Sequence, residues 1–349
     1  MSIIGGLDVH RAQITFDWVD RDSGETHRGR IAPATRTALR AWLGKLPSDQ
    51  GGFAVEGCTG WRFVAEELQA AGLAAHLAEP AETSSLRGPK RRAKTDRADA
   101  RLLRELLEQG RLPGSWIPPT WILDLRTTVR LRKTLVDQRT AWQQRIHATL
   151  FHHGLPRPTQ ELLSRATRAW LEQAPLPAAS RQLLGVALRQ IDGLDAELAP
   201  IDRWLRTLAR AQPGCRALMS HHYGIGAITA PTILAELGDV RRFGGGDQVV
   251  RATGLDVTVY ASDGKRSPGH LSRQGPEVLR WALFEAAKAA ARPSSPDYAY
   301  YQQVKACQGG NRATLAVARK LARRVRHTLV RLGDTALVPV EDLPVAAVA

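Results

Sequence analysis

Asp96 and Asp99 stand three residues apart in the stretch Arg-Ala-Lys-Thr-Asp-Arg-Ala-Asp-Ala (92–100). That spacing puts both carboxylates on one face of a helix. Two more acids lie upstream, each closing a short apolar run: Asp8 after Ile-Ile-Gly-Gly-Leu and Glu56 after Gly-Gly-Phe-Ala-Val. Oxygen donors at strand ends and in a first helical turn suit magnesium, a hard cation that prefers octahedral oxygen coordination. Two such ions, about 4 Å apart, stabilise both the attacking and the leaving oxygen of a phosphoryl transfer. Singly, each acid has a structural role open to it: Asp8 as the start of a turn, Glu56 as a helix cap, Asp96 and Asp99 as partners of a helix dipole. Their succession on one strand-and-helix pattern favours the metal site.

A second candidate centre is the segment 260–275, Tyr-Ala-Ser-Asp-Gly-Lys-Arg-Ser-Pro-Gly-His-Leu-Ser-Arg-Gln-Gly. It combines hydroxyls (Tyr260, Ser262, Ser267, Ser272) with the cations Lys265, Arg266 and Arg273. One reading is a solvated loop of turn residues. The other is a hydroxyl nucleophile with cationic groups that hold a phosphate. Local spacing does not choose among the four hydroxyls.

The chain carries 49 basic against 34 acidic residues, a formal charge of +15 over 349 residues. Such self-repulsion does nothing for folding and points to a polyanionic partner. Arginine predominates, and its planar fork suits phosphate. Candidate nucleic-acid contacts are Arg87, Lys90, Arg91, Arg92 and Lys94 just before the Asp96 helix, Lys265, Arg266 and Arg273 in the serine segment, and Arg319 and Arg323 on the last long helix. No apolar run approaches the roughly 18 residues of a membrane span, and the first residues do not form a secretion signal. Cys58, Cys215 and Cys307 lack paired metal spacing, as expected of reduced thiols in a cytoplasmic protein.

The elements that must position the acids are strand-like and helical in alternation. Residues 3–9, 14–18 and 26–31 read as three strands, 39–46 as a helix stopped by Pro47, 53–56 as a strand, and 61–72 as a helix. Residues 73–77 read as a strand, and Thr95 caps a helix running to Gly110. This βββαβαβα order is that of the ribonuclease H-like fold. Prolines at 113, 118 and 119 mark a linker. Helices follow over 122–153 and 184–208, the second with a coiled-coil-like apolar seam in which Pro200 is expected to kink or split the helix. Their pairing, within one chain or between subunits, is open. Gly224-Ile225-Gly226 before a helix is a helix-hairpin-helix-like turn whose amides can hold a phosphate, which makes Gly224 and Gly226 candidates. Residues 257–274 read as polar and irregular, 277–291 and 315–332 as helices. The expected division is 1–112 (α/β catalytic domain), 113–215 (linker and coiled-coil helices), 216–334 (mostly helical C-terminal domain) and 335–349 (loose tail).

Gly-Leu-Asp-Val-His (6–10), Val-Glu-Gly-Cys-Thr-Gly (55–60) and Lys-Thr-Asp-Arg-Ala-Asp-Ala (94–100) resemble the DEDD transposases of the insertion-sequence "one-ten" family, which includes the "eleven-eleven" subgroup and Piv-type invertases. Gly-Ile-Gly-Ala-Ile-Thr-Ala (224–230), Phe-Gly-Gly-Gly-Asp-Gln (243–248), Thr-Gly-Leu (253–255) and Leu-Ser-Arg-Gln-Gly (271–275) resemble that family's C-terminal domain. The resemblance implies a RuvC-like N-terminal domain that binds magnesium, two ions, through Asp8, Glu56, Asp96 and Asp99. It implies a serine nucleophile shortly after the Gly-Leu segment, which is Ser262 here. Relatives have Ser-Gly at that point and this chain has Ser262-Asp263-Gly264, so Ser267 stays as the second candidate. It further implies a noncoding bridge RNA that specifies donor and target DNA, and assembly into homodimers or homotetramers. The expected function is an RNA-guided transposase that cuts and rejoins DNA through a serine–DNA link. The alternatives are a hydrolytic RuvC-like nuclease of the junction-resolvase type and a non-catalytic nucleic-acid binder.

Overall fold

The computed structural model describes residues 2–86, 95–156, 158, 161–258, 260–262, 265–267 and 269–342, with only the backbone course at 260–262 and 265–267. Two units make up the chain, Met1–Ile117 and Pro118–Ala349. In the first, apolar runs at the start of the chain form β1 (Ile3–Val9), β2 (Ile14–Asp20) and β3 (Thr26–Ile31), paired antiparallel in sequence order. Then come α1 (Arg36–Leu43), β4 (Gly51–Glu56), α2 (Trp61–Ala70) and β5 (Ala74–Ala78). A short α3 (Pro80–Ser85) precedes α4 (Asp96–Glu108), and β6 (Gly114–Ser115) closes the unit. The sheet order is β3-β2-β1-β4-β5-β6, with β1, β4 and β5 parallel. With helices on both faces, this is the arrangement of a ribonuclease H-like domain. Helix α3 and strand β6 are additions to the expected pattern. The latter lies in the proline-bearing stretch read as linker and pairs antiparallel with β5.

Each face of the sheet has its own packing. Phe53, Leu7 and Ile3 meet Leu39 of α1 and Val64 and Leu68 of α2, all fully or almost fully buried. On the opposite face Ala54 and Ala78 meet Leu103 of α4. There α4 lies directly on the backbone of β1: a Cβ at Gly6 would come within 2.1 Å of the Ala100 carbonyl oxygen. Arg104 strengthens this seat. Its Nε donates to Asp17 Oδ1 on β2 at 2.5 Å, with both side chains buried, and its Nη1 donates to Glu108 at 2.8 Å. The expected cap is present, Thr95 Oγ1 accepting from the Ala98 amide at 3.2 Å.

The second unit is mainly helical. It contains α5 (Thr120–His152), α6 (Arg165–Gln173), α7 (Ala178–Ala211), α8 (Pro213–His221), α9 (Thr229–Leu237) and α10 (Gly246–Ala252). A two-stranded ribbon, β7 (Tyr260–Ser262) and β8 (Lys265–Ser267), precedes α11 (Glu277–Lys288), α12 (Tyr298–Gln308) and α13 (Gly310–Leu332). Helices α5 and α7 pair within the chain, and antiparallel: Arg132 binds Asp202 and Arg139 binds Asp195, the partner number falling as the first rises. Buried Leu125 and Val129 cluster with Leu205 and Leu208 towards one end of the pair, Ile146 and Leu150 with Leu184 and Ile191 towards the other.

Three expectations need correcting here. Pro200 does not split its helix: α7 is continuous over 34 residues. Only one intrahelical bond is lost to a proline, and burial of residues on either side of it (Ile191, Leu198, Leu205) holds the helix together. The segment 257–274 is not irregular, because it contains the β7–β8 ribbon and a bridge between Val257 and Leu271. The tail is anchored as far as Val340, which with Val338 packs against the α5–α7 cluster. Ala336 is buried and the Val338 carbonyl accepts from Gln212 Nε2 at 2.7 Å, while residues 343–349 lie outside the described set. Among the described residues no helix is long and apolar enough to cross a membrane.

Candidate active site

Asp8 sits near the end of the central strand β1 and is only 5% exposed. In the parallel ladder Leu7 faces Val55, so Asp8 and Glu56, one residue further on, leave the sheet at the same edge. Glu56 is half-buried and ends β4. Asp96 and Asp99 occupy the first turn of α4. Of the four acids, Asp8 and Asp96 gather with a third ligand-bearing side chain, His10. Its Nε2 lies 3.0 Å from Asp8 Oδ2 and 3.5 Å from Asp96 Oδ1. One ligand atom from each of Asp8, His10 and Asp96 falls within 4.8 Å of the other two. Glu56 and Asp99 stand outside that tight group.

The turn between β1 and β2 builds the group. The His10 amide donates to the Gln13 carbonyl at 2.9 Å, closing the turn. Gln13 Nε2 then donates to Asp96 Oδ2 at 3.2 Å, which turns the other oxygen, Oδ1, towards His10. Sequence reasoning missed both residues. A signal for His10 was present: it stands two residues beyond Asp8, just past the end of β1. Nothing in the sequence marks Gln13.

Burial pushes the Asp8 carboxyl above its ordinary range. His10 opposes this through charge and a hydrogen bond, and the nearby Asp99 and Asp96 carboxylates push it up further. A bound divalent cation would offset both the burial and the repulsion. Two carboxylate oxygens and an imidazole nitrogen directed at one another are a fitting donor set for such an ion, with Glu56 and Asp99 on the same edge to complete it.

The serine candidates lie on and beside the ribbon. Backbone pairing sets Ser262 opposite Lys265, Ala261 opposite Arg266 and Tyr260 opposite Ser267. Ser262 therefore ends β7 beside the Asp263-Gly264 connection, with two cationic positions across from the strand's last two residues. Ser272 is differently placed. Its hydroxyl binds Asp256 and its amide donates to the Asp256 carbonyl at 3.0 Å, so it fastens the base of the segment.

The predicted nucleic-acid contacts separate into groups. Arg87, Lys90, Arg91, Arg92 and Lys94 lie outside the described residues. Arg273 is exposed, with a left-handed backbone (φ 55°). Arg319 donates to the Leu255 carbonyl at 2.8 Å, and Arg323 to Asp247 Oδ1 at 2.7 Å, so both are engaged in the protein's own structure. Gly224 has φ 92°, and a Cβ there would lie 2.2 Å from the Ala286 carbonyl oxygen, which is a packing reason for glycine. The Gly226 amide donates to Thr229 Oγ1 at 2.8 Å and is already engaged within the turn.

Comparison with known proteins agrees with this architecture. A family model described as "Transposase", that of the IS110 DEDD transposases, matches residues 5–153, and one described as "Transposase IS116/IS110/IS902 family" matches residues 215–302. A probable family 20 transposase of Pseudomonas aeruginosa is 27% identical over 296 residues, covering 82% of this chain and 83% of the relative. The transposase for insertion sequence element IS1111A of Coxiella burnetii is 24% identical over 251 residues, 68% of this chain and 67% of its own length. A putative transposase of Sinorhizobium fredii is 29% identical over 208 residues, 58% of this chain and 49% of its own. Two family matches in the expected order, one beginning on the strand that bears Asp8 and the other containing the serine ribbon, show that the chain belongs to the IS110 family of insertion-sequence DNA transposases.

Proposed function

We propose that this transposase is an RNA-guided recombinase that moves its own insertion sequence, with Asp8, Glu56, Asp96 and Asp99 holding magnesium and Ser262 forming a covalent link to DNA. The observation that carries the reading is the meeting of Asp8 and Asp96, from elements 88 residues apart in sequence, at the sheet edge that also bears Glu56. The guide RNA rests on the family resemblance and on a charge of +15, which suits a large polyanionic assembly.

Bound magnesium supplies Lewis-acid stabilisation of negative charge on the phosphate oxygens. Asp8, buried on the central strand, gives a rigid carboxylate. Gln13 orients Asp96 by holding its outer oxygen. The Ser262 hydroxyl attacks phosphorus, losing its proton as the new P–O bond forms. The bond from phosphorus to a deoxyribose oxygen breaks, and that oxygen takes up a proton. Because the phosphodiester is exchanged for a phosphoserine ester, a second strand's hydroxyl can reverse the step and rejoin DNA without ATP. In this reading residues 1–112 form the metal-bearing catalytic domain and 216–334 the serine-bearing domain, with two or four copies of the chain sharing these groups.

Trapping on a donor DNA under denaturing conditions tests the proposal. The unaltered protein should give a covalent adduct that needs a divalent cation, and Ser262→Ala should give none while keeping its RNA. Complete strand exchange by Ser262→Ala overturns the nucleophile. Cleavage without any adduct in the unaltered protein favours the hydrolytic nuclease. Sequencing of copurifying RNA should return the noncoding DNA beside the reading frame, and failure to enrich it overturns the guide.

A further inference from the structure

We infer that His10 is a metal ligand in its own right, and that this nitrogen donor makes the site prefer manganese-like cations over magnesium. The inference rests on the metal reading of the carboxylates and adds to it a donor outside the set of four acids. Its basis is the convergence described above. One imidazole nitrogen, Nε2, faces an oxygen of Asp8 at 3.0 Å and an oxygen of Asp96 at 3.5 Å. Without a cation Nε2–H can donate to Asp8 Oδ2; a cation that takes the place of that proton would find the nitrogen and two carboxylate oxygens already gathered, one ligand atom from each of the three residues lying within 4.8 Å of the others. His10 stands just past the end of β1, two residues beyond Asp8; its half-exposed side chain is held to the site by Asp8 and its backbone by the turn bond to Gln13. Gln13 takes the far oxygen of Asp96 and leaves the near one to the site.

The donor set decides the cation. Carboxylates alone suit magnesium, which binds nitrogen poorly, whereas imidazole strengthens binding of the later divalent metals, and manganese accepts both. A site with two carboxylate oxygens and one imidazole therefore gains manganese affinity from His10 and little magnesium affinity.

Pulsed electron paramagnetic resonance on the full chain with Mn²⁺ alone tests this without any DNA chemistry. The unaltered protein should show nitrogen hyperfine coupling from a directly bound imidazole. His10→Gln should lose that coupling and bind Mn²⁺ at least about tenfold more weakly, with Mg²⁺ affinity changed by less than about threefold. Mn²⁺ bound to the unaltered protein without nitrogen coupling overturns the assignment, as does coupling that persists in His10→Gln. Asp8→Asn separates this from the underlying reading. If it abolishes Mn²⁺ binding while the unaltered protein shows no nitrogen signal, the acids hold metal and His10 does not. If it binds Mn²⁺ as tightly as the unaltered protein, or if neither binds, the metal reading fails, and His10 with it.

Discussion

The carboxylate site and the serine ribbon are held in opposite ways. Asp8 lies on the central strand of a six-stranded sheet, and α4 is pressed onto that strand at Gly6 and pinned by the buried Arg104–Asp17 pair. Ser262 ends a three-residue strand whose ladder partner, among the described residues, is another three-residue strand. A two-stranded ribbon has little stability of its own, so its course depends on its base, where Val257 bridges Leu271 and Ser272 binds Asp256. The contrast follows from what each chemistry demands. Octahedral cations tolerate little error in donor position. A nucleophile must instead reach a phosphate, leave with it attached and return.

That comparison makes graded predictions. The largest effect belongs to Ser262→Ala, for which covalent cleavage should drop by about 10⁴-fold or more with Mn²⁺ binding unchanged. A parallel loss of metal binding would show that the two regions are not independent in this sense. Next is Arg104→Met, which removes one of the two guanidinium groups on buried Asp17 and leaves Arg28 on its other oxygen. Unfolding of the first unit should become easier by about 1–3 kcal/mol, seen as a lower urea midpoint. The double variant Asp17→Leu with Arg104→Met should recover most of that stability. Gly6→Ala pushes α4 off β1 and should cost about 1–3 kcal/mol, with weaker Mn²⁺ binding by calorimetry. Unchanged metal affinity would mean that the seat of α4 does not set the donor spacing. The smallest effect is expected for Ser272→Ala, which loses one charge-assisted bond at the base of the ribbon and about 1–2 kcal/mol. It should slow adduct formation and leave metal binding untouched.

How far these features were legible in the sequence depends on the range of the interaction that makes them. Strands β1 to β5 and the Thr95 cap of α4 come from local pattern and read correctly. The ribbon was also local: Asp263-Gly264 between polar strands is a hairpin signal, and the polarity of the segment hid it. His10 was legible from its place two residues beyond Asp8 at the end of β1. The rest is long-range. The pairing of α5 with α7 inside one chain is set by arginines on one helix finding aspartates on the other, and an apolar seam cannot specify whose seam it meets. The anchoring of the tail turns on Gln212 reaching Val338, which no window of sequence contains.

The turn joining β1 to β2 deserves a different standard from other surface loops. Connections of this kind ordinarily absorb insertions and deletions freely. Here four residues carry, at their two ends, the imidazole beside Asp8 and the amide that steers Asp96. Adding or removing one residue would misplace at least one of them, and in a strand every single-residue slip reverses the side to which side chains point. A solvent-facing bend of the chain thus has its length dictated as strictly as any core position.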